Sequence, residues 1–527
     1  MKMTKSTRWL CVAVVLGVGA CNADLNVVNP NLPDARRALS DPAALEAVAG
    51  GTLHTWFTGY EGMMAVGPLS TIADAYSSSW NNFYMLYINS QDADGTRNTR
   101  PWKNDPGAQE RQHMEWYWTK YYSVASSASD VLKAIRTDKI IINNAADTKR
   151  SETIAAFMLG AAHSGISLIY DKGYIVDETV DVTSLQYSNR KQMRDAAVAK
   201  LDAAIALAAA NTFTTPAAWT NGRSYTNVQI AQIANTMAAM TLAYYPRDAT
   251  EGATEVDWAK VAAYASKGMS TGTAFDFVFV GDGCNQWCHE VLTWFNAIDT
   301  GVIHTRVANL LDPVTQKDPY PKGGNQQPNS PDKRLGDGTF GDASIVDGFG
   351  TIPVKSTSRP GTDFSYSTFE IFSSSRGQYH QSNIGHIRYD LSGNQDPTGI
   401  YGGYGPAPVI SAGQNDLIWA EALLRGSAPD LATAASLINK TRVTRGGLPP
   451  ATAADGQAGL LTKLSYEQDV ELLGLGATPF YNRRRVAGGL RAGTPHEMPV
   501  PAKELGVRGD ALYTFGGASN PANSTKP

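Results

Sequence analysis

The stretch Asn415-Asp416-Leu417-Ile418-Trp419-Ala420-Glu421-Ala422-Leu423-Leu424-Arg425-Gly426, and its continuation from Pro429-Asp430 to Arg442, decides the fold. Leu417, Ala420, Glu421 and Leu424 recur at helical spacing, and Gly426 ends that helix. Pro429-Asp430 opens a second helix, on which Leu431, Ala434, Ala435, Ile438 and Arg442 share a stripe. Two short apolar helices joined by a tight turn must pack face to face, and the alanines let them approach closely. The same reading puts one carboxylate, Glu421, and one guanidinium, Arg442, on the packed side. A buried charge without a partner costs several kcal/mol. Glu421 and Arg442 are therefore expected to meet, or to find nearby counter-charges, as a structural pair. A ligand-binding or catalytic carboxylate is the other reading of Glu421.

Upstream, the same texture repeats. Asp41-Pro42 is an N-cap followed by proline in the first turn, and the run Ala43 to Val48 reads as a helix ending at Gly50-Gly51. Further apolar stripes run through Trp118 to Ile135, Ile154 to Ala162, Val198 to Ala208, Val228 to Tyr245 and Trp258 to Lys267. From about residue 272 to 413 helical periodicity fades, and Pro, Gly, Asp and Ser punctuate the chain, with short strand-like pieces such as Phe275 to Val280. The predicted fold class is mostly α: tetratricopeptide-like helical hairpins with an irregular, loop-rich subdomain. The predicted division is a signal peptide over 1–20, a helical-hairpin part over 21–271, the loop-rich part over 272–413, and a C-terminal hairpin region over 414–527, intertwined as one domain.

The N-terminus predicts location. Lys2, Lys5 and Arg8 precede an apolar run from Trp9 to Ala20, too short to span a bilayer but suited to a signal-peptide core. It ends in Val18-Gly19-Ala20-Cys21, similar to a bacterial lipobox, so Cys21 is the expected lipidation site. Asn22 follows, not the aspartate that retains lipoproteins in an inner membrane, which favours the outer one. Over 527 residues the formal net charge is −4, which argues against nucleic acid as a partner. Mean hydropathy is −0.26, excluding a polytopic membrane protein. Charged residues make up 18%, below the roughly 25% of ordinary soluble domains, a balance more common in exported proteins. No nucleophile elbow, HExxH or phosphate-binding glycine loop is present, so no enzyme and no cofactor is predicted.

Trp419-Ala420-Glu421-Ala422-Leu423-Leu424 and Ile438-Asn439-Lys440-Thr441-Arg442, then Glu467, Glu471-Leu472, Gly476, Arg483 to Arg485 and Met498-Pro499-Val500-Pro501-Ala502-Lys503-Glu504-Leu505, together resemble the C-terminal signature of the SusD/RagB family. Gln468, Leu475, Thr478 and Tyr481 depart from it, which marks a divergent member. The resemblance implies an outer-membrane lipoprotein that captures oligosaccharides, or peptides in some lineages, and passes them to a SusC-like TonB-dependent transporter without covalent chemistry. A helical-repeat scaffold of the cell envelope that binds no free ligand is the third reading.

A glycan site needs aromatic faces for the C–H faces of sugar rings and amides or carboxylates for their hydroxyls. Two stretches offer both: Asp74 to Tyr87, with Trp102 beyond, and Asp282 to His289, followed by Trp294. From these, Trp80, Asn81, Asn82, Tyr84, Trp287 and Trp294 are the candidate ligand residues, with core packing as the alternative for each aromatic. Cys284 and Cys288 are the remaining thiols, and three states stay open: a small disulfide loop, free thiols, or ligands of a zinc site with His289 but without an evident fourth ligand. A disulfide would hold Trp287 rigidly; no metal is predicted.

Overall fold

The computed structural model describes residues 40–77, 81–88, 100–296, 301–319, 326–340, 346–347, 350–351, 359–366, 380–389 and 403–524. Cys21 and Trp80 lie outside them. Eight helices pack in succession: α1 (Pro42–Tyr60), α2 (Gln112–Arg136), α3 (Ala145–Ile169), α4 (Arg190–Ala210), α5 (Asn227–Tyr244), α6 (Trp258–Ala265), α7 (Ala412–Arg425) and α8 (Leu431–Arg442). Each touches the next, and α1, α3, α5 and α7 also touch one another in series, the arrangement of stacked helical hairpins. α9 (Gly456–Val470) closes the stack against both α7 and α8. The fold is mostly helical, as its periodicity predicts.

Caps mark the starts of these helices. Asp41 accepts the Ala43 amide at 3.0 Å ahead of α1, and Asn189 and Thr226 form capping boxes with Gln192 and Gln229 ahead of α4 and α5. α3 is apolar on all sides because α1, α2, α4 and α5 surround it. Among the described residues it is the one helix long and apolar enough to cross a membrane, yet 94% of its apolar window is buried inside the protein.

α1 corrects the reading that ends it at Gly50-Gly51: the helix continues to Tyr60. A Cβ on Gly50 would lie 2.4 Å from Nε1 of Trp219, so this glycine admits a neighbouring indole and does not break the helix. The cost of about 1 kcal/mol for a helical glycine is offset by the burial of Leu53, Trp56 and Phe57 beyond it.

The irregular layer is built from short antiparallel pairs, and among the described residues no sheet exceeds two strands. The longest pair joins β1 (Phe277–Asp282) to β2 (Tyr404–Ile410), with Phe279 opposite Ala407. β1 alternates, sending Phe277 and Phe279 onto Trp56 and Phe57 of α1. Buried charges tie this layer to the helices. The Arg334 guanidinium holds Asp332 at 2.7 Å, Glu467 of α9 at 2.8 Å and Glu471 at 3.1 Å. Arg445 in turn reaches Asp363 at 2.6 Å and Glu471 at 2.8 Å.

Glu421 and Arg442 do not meet. Glu421 is buried and held by Arg485, Arg425 and Gln468 at 2.5 to 2.8 Å. Burial pushes its carboxyl up, but Arg485 and Arg425 outweigh that and bring it to about 2. Arg442 lies at the half-buried end of α8, where it donates to the Pro449 carbonyl at 2.8 Å and faces Glu467 at 3.7 Å. In the α7–α8 hairpin Glu421 lies near the turn and Arg442 at the far end of α8, so each finds its own partners. The role of Glu421 is structural, as a clamp between α7 and the segment carrying Arg485.

Candidate functional site

The segment that follows β1 carries both tryptophans of the second polar-aromatic stretch. Asp282 organises its turn: the Asp282 carboxylate accepts the amides of Asn285 at 3.0 Å, Gln286 at 3.2 Å and Trp287 at 3.0 Å. Cys284 and Cys288 are joined as a disulfide across this turn. Gly283 has a φ of +77°, and a Cβ there would meet the Tyr404 ring at 2.3 Å, so only glycine lets the half-buried Tyr404 approach the turn this closely. His289 is fully buried, with Nε2 donating to the Phe279 carbonyl at 3.0 Å. With both sulfurs bonded to each other and that ring turned into the core, these residues do not form a zinc site. A disulfide closing so short a loop is worth about 2 kcal/mol. The double variant Cys284→Ser/Cys288→Ser should lose no more than that in urea unfolding, while the loop becomes more accessible to protease.

Trp287 is half-buried, not the open platform its polar neighbours predict. Its ring meets His54 edge-on at 4.4 Å and lies 5.7 Å from Phe57 and 5.9 Å from Phe279, and His54 Nε2 donates to the Gln286 carbonyl at 2.8 Å. One side of the indole therefore anchors the turn to α1. Trp294 lies on the helix Glu290–Asn296, where Val291, Leu292 and Phe295 face the core and Trp294 remains half-buried.

The first stretch meets the second at Trp294. Phe83 packs edge-to-face on its indole, with ring centroids 5.6 Å apart. Phe83 and Tyr84 have φ values of +50° and +56°, left-handed positions costly for bulky side chains. His113 holds this turn: it is buried and donates from Nε2 to the Phe83 carbonyl at 2.8 Å. Burial pushes the His113 ring down to about 4, so the donor is a neutral imidazole near pH 7. The two strained aromatics follow directly on an exposed Asn81 and a half-buried Asn82. Sequence spacing does not reveal Phe83 as the joining residue, because its partner lies over two hundred residues away.

Two aromatics of the first stretch belong to the core. Tyr76 stacks on Phe295 at 3.9 Å and pairs with His386 Nδ1 at 2.6 Å. Trp102 is 1% exposed and donates to the Glu497 carbonyl at 2.8 Å, pinning the chain end to the stack. Among the described residues, the group with metal-ligand composition is His304, Asp318 and His380. Both Nδ1 atoms are engaged: His304 Nδ1 accepts the Arg306 amide at 3.0 Å, and His380 Nδ1 pairs with Asp318 at 3.1 Å, while His304 Nε2 faces Asp74 at 3.4 Å. Arg306 and Arg491 also bracket the neighbouring Asp74, which disfavours a cation there.

No protein-family model and no curated protein sequence matches the chain. Its structure, however, is similar to several solved ones. A SusD-like protein from Bacteroides fragilis aligns with a TM-score of 0.55 at 14% identity, covering 90% of this chain and 97% of the other. A SusD-like carbohydrate-binding protein from the same species aligns with a TM-score of 0.54 at 12% identity, covering 85% and 86%. A laminarin-binding SusD-like protein aligns with a TM-score of 0.50 at 13% identity, covering 89% and 98%. In stacked hairpins, irregular layer and nearly full-length correspondence, the chain has the fold of the SusD-like proteins.

Proposed function

We propose that the protein is a cell-surface glycan-binding lipoprotein, anchored through Cys21, that captures oligosaccharides and passes them to a SusC-like TonB-dependent transporter in the outer membrane. The observation that carries this reading is the contact of Phe83 with Trp294, which joins two distant polar-aromatic stretches into one face. Asn81, Asn82 and Tyr84 supply hydrogen-bonding groups beside it, and Trp287 sits at the other end of the same short segment. Trp80 belongs to the same stretch of sequence and is proposed as a further contact. The likeness to SusD-like carbohydrate-binding proteins, one of them laminarin-binding, supports the ligand class. Binding of this kind uses stacking and hydrogen bonds and needs no covalent chemistry.

The test is calorimetric titration of the soluble chain lacking residues 1–21 against a glycan panel that includes laminarin oligosaccharides. Trp294→Ala is expected to weaken the best glycan about 30-fold, or ~2 kcal/mol, as expected for removal of a central aromatic anchor. Uncharged recognition also predicts affinity unchanged within about twofold from roughly 0.05 to 0.5 M salt. Binding to no glycan, or full affinity in Trp294→Ala and Trp287→Ala alike, would overturn the reading.

A further inference from the structure

Glu61 caps the C-terminal end of α1 and is fully buried, and neither carboxylate oxygen has a hydrogen-bond partner among the described residues. A buried carboxylate left in that state needs a physical account. Nδ1 of His289 lies 3.9 Å from Oε2, itself buried and without a hydrogen-bond partner among the described residues. Since Nε2 of His289 is committed as donor to the Phe279 carbonyl, Nδ1 is the nitrogen free to take or give up a proton toward Glu61. A small side-chain rotation or one bridging water closes the gap.

We propose that Glu61 and His289 share a single proton and act as a positioning pair for the segment that carries Trp287 and Trp294, so that glycan affinity follows the protonation of this pair. The proposal rests on the binding reading above. With no proton the pair is a buried anion, and with two it is a buried cation; one proton alone leaves it neutral overall, the state that burial favours. Burial raises the Glu61 carboxyl, with His289 opposing, which agrees with proton sharing. The facing groups supply little compensation. Tyr60, Tyr76, Tyr117 and Tyr121 act on or are acted on by Glu61, and burial pushes each hydroxyl further up, so all four stay neutral. Glu290 accepts the Met63 amide at 2.8 Å, and burial raises its carboxyl too, against the field of Lys120.

The pair is wired to the candidate site through packing. The His289 ring meets Phe57 edge-on at 4.9 Å, and Phe57 also touches Trp287 and stacks on Phe279 at 4.7 Å. The bond from the Met63 amide to Glu290 fixes the start of the helix bearing Trp294. A second proton would leave a buried net positive charge, whose cost favours opening the site to water and loosening this segment at both ends.

The test combines nitrogen-15 spectroscopy of His289 with laminarin-oligosaccharide binding across pH, in the wild type and in Glu61→Gln, with circular dichroism as the folding control. At pH near 7 the Nδ1 shift should lie between the protonated and bare values in the wild type, and at the bare value in Glu61→Gln. Wild-type affinity should fall at least about tenfold from roughly pH 7 to pH 5, and that of Glu61→Gln by less than about threefold. A bare Nδ1 in the wild type, or the same pH profile in both proteins, would overturn the proposal. If Glu61→Gln does not fold, the wild-type nitrogen spectrum decides alone. A wild type that binds no laminarin at any pH would count against the glycan reading, and the shared proton would still be judged by that spectrum.

Discussion

Replacing Arg334 with alanine is expected to destabilise the protein by about 3–5 kcal/mol, the cost of leaving buried charges unpaired. The guanidinium sits between Asp332, Glu467 and Glu471, none more than 4% exposed, and Tyr466 adds a hydrogen bond to Asp332 at 2.7 Å. Removing the cation leaves three buried carboxylates close together, with Arg445 and Arg388 still reaching Glu471 and Arg442 facing Glu467 at 3.7 Å. Arg334→Lys keeps the charge but not the fork and should fall between wild type and alanine. The double variant Arg334→Met/Glu467→Met should recover part of the loss, because it removes charge of both signs. Urea unfolding of the three variants checks this; an Arg334→Ala midpoint within error of wild type would contradict the clamp. Any effect on the proposed binding face is indirect, since this cluster fastens the irregular layer to α9.

Acidification is expected to destabilise the protein steeply below about pH 6.5. Burial pushes His113 and His163 down to about 4 and His386 to about 3, from an ordinary value of 6.5. Each ring binds its proton more weakly in the folded chain than in the unfolded one. The unfolded state therefore takes up more protons, and stability falls as pH drops from 6.5 through these lower values. Each ring accounts for a few kcal/mol at the acid end, on the order of 3. His163 shows why: Nδ1 donates to the Leu159 carbonyl at 2.7 Å while Nε2 accepts the Val176 amide at 3.0 Å, so a second proton breaks a bond.

Glu421 and Glu251 continue the trend lower down. Burial raises both, but Arg485 and Arg190 outweigh it and bring each to about 2, so their contribution is present above 4.5 and lost as pH falls towards 2. Asp171 acts with the opposite sign. Burial and Glu497 raise it to about 7, so its contribution is present below 3.8 and is lost as pH rises through 7. The melting temperature at constant ionic strength should decline from pH 6.5 to 4, and His163→Gln should flatten part of that decline. A flat profile would contradict it.

Local signals made the helices legible in the sequence. Stripes of Leu, Ala and Tyr at helical spacing need no distant partner to be read, and they located all eight stack helices, α5 to α8 within a few residues of both ends, while the stripes read for α2, α3 and α4 begin well inside those helices. α1 was cut short because glycine usually breaks helices, while here Gly50 serves a contact with Trp219 that lies far along the chain. Glu421 was legible as buried, because its stripe is local; its partner Arg485 was not, because a pairing across 64 residues leaves no periodic trace. The same limit hid the β1–β2 ribbon, the clamp at Arg334 and the contact of Phe83 with Trp294. At the candidate site, Phe83, in the stretch that carries Asn81, Asn82 and Tyr84, meets Trp294, whereas Trp287 packs against His54 and Trp102 belongs wholly to the core.

The most direct test of the binding face is a crystal structure of the protein with the oligosaccharide that binds best in the glycan panel. The account predicts a sugar ring against Trp294 and Phe83, with hydroxyls bonded to Asn81, Asn82 or Tyr84. A sugar bound elsewhere on the molecule, with Trp294 untouched, would contradict it.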